Sequence, residues 1–174
     1  MKVKTLNPSE IITTRDFPVY NEHILKIYFK ICQKDKKILP LTPVIPLSAG
    51  LPLLNPNKKG AKEYNEKMKN WLKENKKIKY LMCDGSHKTT ALNLTNNKIH
   101  AAILEKDKDV KEIKDLIEVG EIFSLSAADT IKKILLEKAD HLKGAEFFET
   151  VEDKTKRMVE MKVIPKFMID YFRK

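Results

Sequence analysis

Ile78-Lys79-Tyr80-Leu81-Met82-Cys83 runs without a break into Asp84-Gly85-Ser86-His87-Lys88-Thr89-Thr90, and this stretch decides the fold. Apart from Lys79 the first six residues are apolar, as in a buried strand. The next seven open a helix that continues to about Thr95, where Asn96-Asn97 stops it. Ile99-His100-Ala101-Ala102-Ile103-Leu104 then reads as another strand. A strand entering a helix through a glycine turn leaves several backbone N–H groups open at the helix start, and the helix dipole makes that point positive. Lys88 adds a full charge, and the hydroxyls of Ser86, Thr89 and Thr90 add donors. His87 either donates or accepts. Gly85, Ser86, His87, Lys88, Thr89 and Thr90 together suit a phosphate. The spacing is not that of a Walker A loop. The plainer alternative is an ordinary helix start, with Ser86 as N-cap and an Asx turn at Asp84.

Upstream, Lys2 to Leu6 alternate polar and apolar as a half-buried strand does, Asn7-Pro8-Ser9 breaks it, and Pro8-Ser9-Glu10-Ile11-Ile12 reads as a turn or one helical turn. A helix begins after Asn21, with Ile24, Ile27, Tyr28 and Ile31 spaced as an apolar stripe. The prolines in Leu39-Pro40-Leu41-Thr42-Pro43-Val44-Ile45-Pro46-Leu47 point to an edge strand around Val44–Leu47. Residues 61–75 are helical, with Tyr64, Met68, Trp71 and Leu72 on one face. After Glu105 the chain reads as helices over roughly 108–119, 127–142, 150–162 and 165–172, the last two separated by Pro165. The class is therefore α+β, a small mixed sheet with helices and a helical C-terminal region.

The 174 residues suit one domain, or one with a helical extension. A composition of 42% hydrophobic and 33% charged residues excludes a disordered chain. The apolar runs fall short of the roughly 18–20 residues of a membrane span, and the start has no apolar core of a secretory signal. Cys32 and Cys83 alone make neither a disulfide framework nor a zinc site, so the cytoplasm is the expected compartment. The net charge is +10, and it is uneven: residues 1–87 carry 17 Lys+Arg against 8 Asp+Glu, residues 88–174 carry 17 against 16. An anionic partner is expected at the first half.

Leu81-x-Cys83-Asp84-Gly85-Ser86-His87-Lys88-x-x-Ala91-Leu92, followed by Asn97-Lys98-Ile99-x-Ala101-x-Ile103, resembles the ParB/sulfiredoxin superfamily. Leu6-x-Pro8-x-Glu10-Ile11, Arg15-x-Phe17, the helix Glu22–Ile31 and Leu39-Pro40-Leu41-x-Pro43-Val44-Ile45 follow the family order. The resemblance covers about residues 3–104, with residues 48–77 as a lysine-rich helical insertion, and implies a boundary at 104 before the helical region 105–174. Sulfiredoxins carry their catalytic cysteine where this chain has Ser86, which argues against peroxiredoxin repair. Partition proteins of the family show Gly-Glu-Arg-Arg and bind CTP, where this chain has Gly85-Ser86-His87-Lys88. The loop is most similar to that of ParB-like free-serine kinases, of the Asp-Gly-His-His-Arg type.

That resemblance implies an ATP- or ADP-dependent phosphotransferase or nucleotide hydrolase. The nucleotide would bind at Asp84–Thr90, with Mg²⁺ held by Asp84 and a small hydroxyl acceptor such as free serine. Asp84 and His87 would belong to the catalytic set. An acidic residue in the upstream polar loop would be the base: Asp16, with Glu10 or Glu22 as substitutes. Arg15 would clamp a phosphate. The alternative expectation is a DNA-binding or partition-type module, which the parent family also implies, with or without nuclease activity. From Lys58 to Lys79 there are nine lysines, and Lys62, Lys69 and Lys73 would contact the phosphate backbone. A third is a nucleotide sensor without catalysis. Tyr64 and Trp71 share the apolar stripe, so they read as core rather than stacking platforms. His23, His100 and His141 read as structural, and the four histidines have no metal spacing.

Overall fold

The computed structural model describes residues 1–14, 21–35, 39–118 and 125–174. Arg15 and Asp16 lie outside the described residues. Among the described residues, five strands form one mixed sheet: β1 (Lys2–Leu6), β2 (Ile11–Ile12), β3 (Thr42–Pro46), β4 (Tyr80–Met82) and β5 (Ile99–Ile103), in the order β1-β5-β3-β4-β2. β1 and β5 are antiparallel, β5 and β3 parallel, β3 and β4 antiparallel, and β4 and β2 parallel. The helices are α1 (Glu22–Lys34), α2 (Ala61–Glu74), α3 (Ser86–Leu94), α4 (Asp107–Glu118), α5 (Ile131–Lys143), α6 (Val151–Glu160) and α7 (Lys166–Phe172). None is long and apolar enough to cross a membrane.

Both faces of the sheet are covered, because the strands are apolar on both sides. Ile11, Val44, Tyr80, Met82, Ala101 and Ile103 pack with α1, α3, α6 and α7. Their alternates Ile12, Ile45, Leu81 and Ala102 pack with α2, α4 and α5. Period-two alternation thus feeds two cores rather than one core and a wet face. Both cores draw on residues before and after 104: Met68 shares one cluster with Ile113, Ile134 and Phe148, and Phe29 shares the other with Val151, Met158 and Met168. The segment 48–77, read as an insertion, supplies α2, whose Ala61, Tyr64 and Met68 are buried. Tyr64 donates its hydroxyl to the Pro52 carbonyl at 3.0 Å and meets Phe148 edge-on, and Trp71 packs on the same ring.

Three expectations need correction. The proline-rich strand is central, not an edge: β3 pairs with both β5 and β4. Its prolines sit where one neighbour has run out. Pro43 lies outside the β4 pairing and gives only its carbonyl, to the Cys83 N–H at 2.9 Å. Pro46 lies past the β5 pairing, which ends at Val44. No ladder bond is lost at either position. Second, Ile11-Ile12 is a short strand rather than the tail of a turn; the 3₁₀ turn Pro8–Glu10 ends there.

Third, α1 buries the neighbouring stripe. Leu25, Phe29 and Cys32 face the core, while Ile24 is 40% and Ile27 59% exposed. The helix has two apolar stripes side by side, and periodicity cannot rank them. The expected N-cap holds, since the Asn21 side chain accepts from the Ile24 N–H at 3.1 Å.

Candidate functional site

A cavity of about 460 Å³ opens where β4 turns into α3. Cys83, Asp84, Gly85, Ser86, His87 and Lys88 form one wall. α1 contributes Ile24 and Tyr28, the start of β3 contributes Leu41 and Pro43, α5 contributes Lys138 and His141, and Thr14 lies at the margin. The stripe of α1 that the core leaves uncovered is therefore a cavity wall. Lys88 and Lys138 line the same cavity.

The turn into α3 depends on Gly85. Its φ is +100°, a region L residues rarely enter, and an added Cβ would stand 3.2 Å from Lys88 Cε. α3 starts at Ser86 with Gly85 as N-cap, and no side chain caps it. The Ser86 hydroxyl is therefore not the cap that the plainer sequence reading expects. It accepts a hydrogen bond of 2.7 Å from Lys154 Nζ on α6. Lys154 is completely buried, on the face that Val151, Thr155 and Met158 present to the core.

Lys88 is 5% exposed, and its Nζ donates to the carbonyls of Pro40 and Leu41 at 2.7 and 3.0 Å. Burial pushes its pKa down to about 8, against the opposing pull of Asp84. The ammonium thus bridges β3's approach to the helix start. His87 accepts from the Asn21 backbone N–H at Nε2, 3.1 Å away. This contact requires Nε2 to be unprotonated and ties the start of α3 to the start of α1. Burial, with Asp84 adding to it, raises the Tyr28 pKa. Burial pushes the Cys83 thiol up to about 12, an inert small hydrophobe on the cavity wall. Cys32 and Cys83 are both free and buried.

The expected phosphate residues therefore divide. Gly85, Ser86, His87 and Lys88 are on the cavity wall, and Asp84 with them. Thr89 and Thr90 are not. Thr89 is buried, and its hydroxyl donates back to the carbonyls of Gly85 and Ser86 at 3.0 and 3.1 Å; Thr90 is buried within α3. A helix turns successive residues by 100°, so only its first turn faces a ligand at its end. Glu10 and Glu22, the substitutes for the base, are not on the cavity wall either. Glu10 accepts from the Asn7 N–H and pairs with Lys79, and the Asn7 contact leads in holding its pKa down. Glu22 pairs with Lys26 on the surface of α1. Lys62, Lys69 and Lys73 are exposed on α2, away from the cavity lining.

Lys138 and His141 on the cavity wall, and the buried Lys154 beside Ser86, escaped the sequence reading. Lys138 and His141 are one helical turn apart on α5, a position only the packing of α5 could place. Lys154 had a legible signal: it interrupts the apolar face 151, 155, 158 and 159 of α6. A lysine there is either an error of register or a buried charge with a task. Among the described residues no group of three or more His, Cys, Asp or Glu is placed to hold a metal ion. No family model, curated protein or solved structure matches this chain.

Proposed function

We propose that this protein binds a nucleotide in the α3 cavity, its phosphates at the Gly85–Lys88 turn and its base against Ile24, Tyr28 and Leu41. The observation that carries this is the meeting of the open α3 N-terminus with Lys88, Lys138 and the Lys154–Ser86 pair around one cavity. Asp84 is the cavity's one carboxylate among the described residues. Several fixed positive groups around a half-apolar cleft suit a polyanion with a planar apolar end.

A phosphotransferase or nucleotide hydrolase acting on ATP or ADP, of the free-serine-kinase kind, is the reading we favour. The small hydroxyl acceptor enters from the cavity mouth, and Asp16 is its base. Mg²⁺ fits a donor set of one protein carboxylate, Asp84, completed by the nucleotide's own phosphates. When bound, the ion neutralises phosphate charge. The chain's residues hold and orient the phosphates: the first-turn N–H groups of α3 donate to them, and Lys88 and Lys138 supply full charges.

The test is a thermal-shift panel of ATP, ADP, CTP and GTP with and without Mg²⁺. A ligand at about 100 times its Kd stabilises by about 2.7 kcal/mol, a rise of about 5–10 °C for a chain this size. A selective shift with an adenine nucleotide is expected, reduced in His87→Ala and Lys138→Ala. No shift with any of the four overturns the reading. A second reading, duplex DNA binding, is favoured by the exposure of Lys62, Lys69 and Lys73 along α2. It requires binding that falls steeply with salt and is abolished by changing the three to Glu.

A further inference from the structure

A second groove, of about 420 Å³, lies between the end of α6 and α7 and shares no residue with the α3 cavity. Ile164 and Ile169, each 6% exposed, form its floor. Lys162, Lys166, Asp170 and Arg173 form its rim. Asp170 is paired with Lys166 at 2.8 Å, whereas Lys162 and Arg173 make no ion pair among the described residues. The rim is therefore positive. α7 is held in place by its other side chains: Met168 is buried, and Phe167 and Tyr171 meet Phe29 edge-on with ring centroids 5.7 and 5.4 Å apart.

Lys162 stands where the backbone would favour another residue. α6 ends in a Schellman motif, in which the Lys162 N–H donates to the Val159 carbonyl at 3.3 Å and the Val163 N–H to the Met158 carbonyl at 3.2 Å. The left-handed position of that motif, φ +55°, belongs to Lys162. Glycine adopts it freely, and a side chain there strains the backbone. The chain keeps a lysine at this position, on the rim of the groove. Charge also gathers here: residues 161–174 carry four Lys+Arg against one Asp, while residues 88–160 carry 13 against 15. On either side of Lys162 the apolar surface continues, with Met161 57% and Val163 38% exposed.

We propose that this groove docks an acidic segment of a partner protein. An apolar side chain of that segment enters between Ile164 and Ile169, and its flanking carboxylates meet Lys162, Lys166 and Arg173. The recess selects a side chain over a flat bilayer, because the apolar floor is nearly buried and lies among charged rim residues. The inference goes beyond the nucleotide reading and does not depend on it.

The experiment uses the full chain and a fluorescein-labelled peptide with a leucine pair between runs of glutamate, read by fluorescence polarisation. Two counterpart peptides carry Gln for each Glu, or Ser for each Leu. The wild-type chain is expected to bind the acidic leucine peptide, less tightly as salt rises, and each counterpart about tenfold more weakly. Lys162→Gly should unfold in urea at the same concentration as wild type or a higher one, yet bind the peptide about fivefold more weakly. Arg173→Glu should weaken it about tenfold. Both variants should keep the wild-type thermal response to nucleotides. No binding by wild type, equal binding of the Gln counterpart, or full affinity in both variants overturns the inference. Co-sedimentation with phosphatidylserine vesicles in the absence of peptide binding overturns it too, and assigns the face to a lipid surface.

Discussion

Replacing Lys88 by methionine should change how stability depends on pH, and the size follows from the structure. The Lys88 ammonium is buried on two carbonyls, and its pKa falls to about 8 from an ordinary 10.5. Between these values the unfolded chain holds a proton that the folded chain does not. Stability therefore rises with pH across that window. At about 1.4 kcal/mol per pH unit, the full gain is about 3 kcal/mol, most of it reached by pH 10. Below pH 8 both states are protonated and the contribution is flat. Urea unfolding of wild type and Lys88→Met at pH 7, 8, 9 and 10 isolates the effect, because every other titration cancels in the difference. The difference should move by about 2–3 kcal/mol in favour of wild type from pH 7 to pH 10. A flat difference would refute the reasoning, for it would mean the amine is hydrated in the folded chain. The same linkage acts on the ligand. A bound phosphate favours charged Lys88, so nucleotide affinity should be full below pH 8 and decline above it.

Other outcomes follow from individual residues. Gly85→Ala must hold φ near +100° and bring a methyl to 3.2 Å from Lys88 Cε; it should cost roughly 1–2 kcal/mol in denaturant unfolding and lower nucleotide affinity. Thr150→Ala removes the cap of α6 and should cost about 1–2 kcal/mol in denaturant unfolding. Met68→Ala opens a hole in the α2 face of the core and should cost about 2–5 kcal/mol, which a dispensable insertion would not show. Asp16→Asn should leave nucleotide binding intact and lower turnover in a coupled assay; normal turnover would exclude it as the base.

The local rules were legible because they are local. The strand–glycine–helix unit, the cap at Asn21 and the strand alternation all follow from neighbours within a few residues. The Gly85 turn could be read because only glycine tolerates its φ, and the Tyr64–Met68 stripe because no second stripe competes with it on α2. On α1 two stripes compete. Choosing between them requires knowing that α3 packs against Leu25, Phe29 and Cys32. The choice left Ile24 and Tyr28 to the cavity. The central place of β3 was hidden for a related reason. A proline is excluded from a sheet interior only where a partner strand needs its N–H, and where each partner ends is set by the partner.

The sequence by itself determined the strand and helix segments, the glycine turn and the side chains of its first turn, since chirality and short-range sterics act within a few residues. It also determined the surplus of lysine that any anion would meet. Only the tertiary structure decided which of those side chains share a cavity. It turned Thr89 and Thr90 inward, held Lys88 against the Pro40 and Leu41 carbonyls, and brought Lys138, His141 and Lys154 to Ser86 from more than 50 residues away in the chain. A site assembled from five elements, α1, β3, α3, α5 and α6, has no sequence period. Its residues are adjacent because burying both faces of one sheet brings α3, α5 and α6 together at the end of β4.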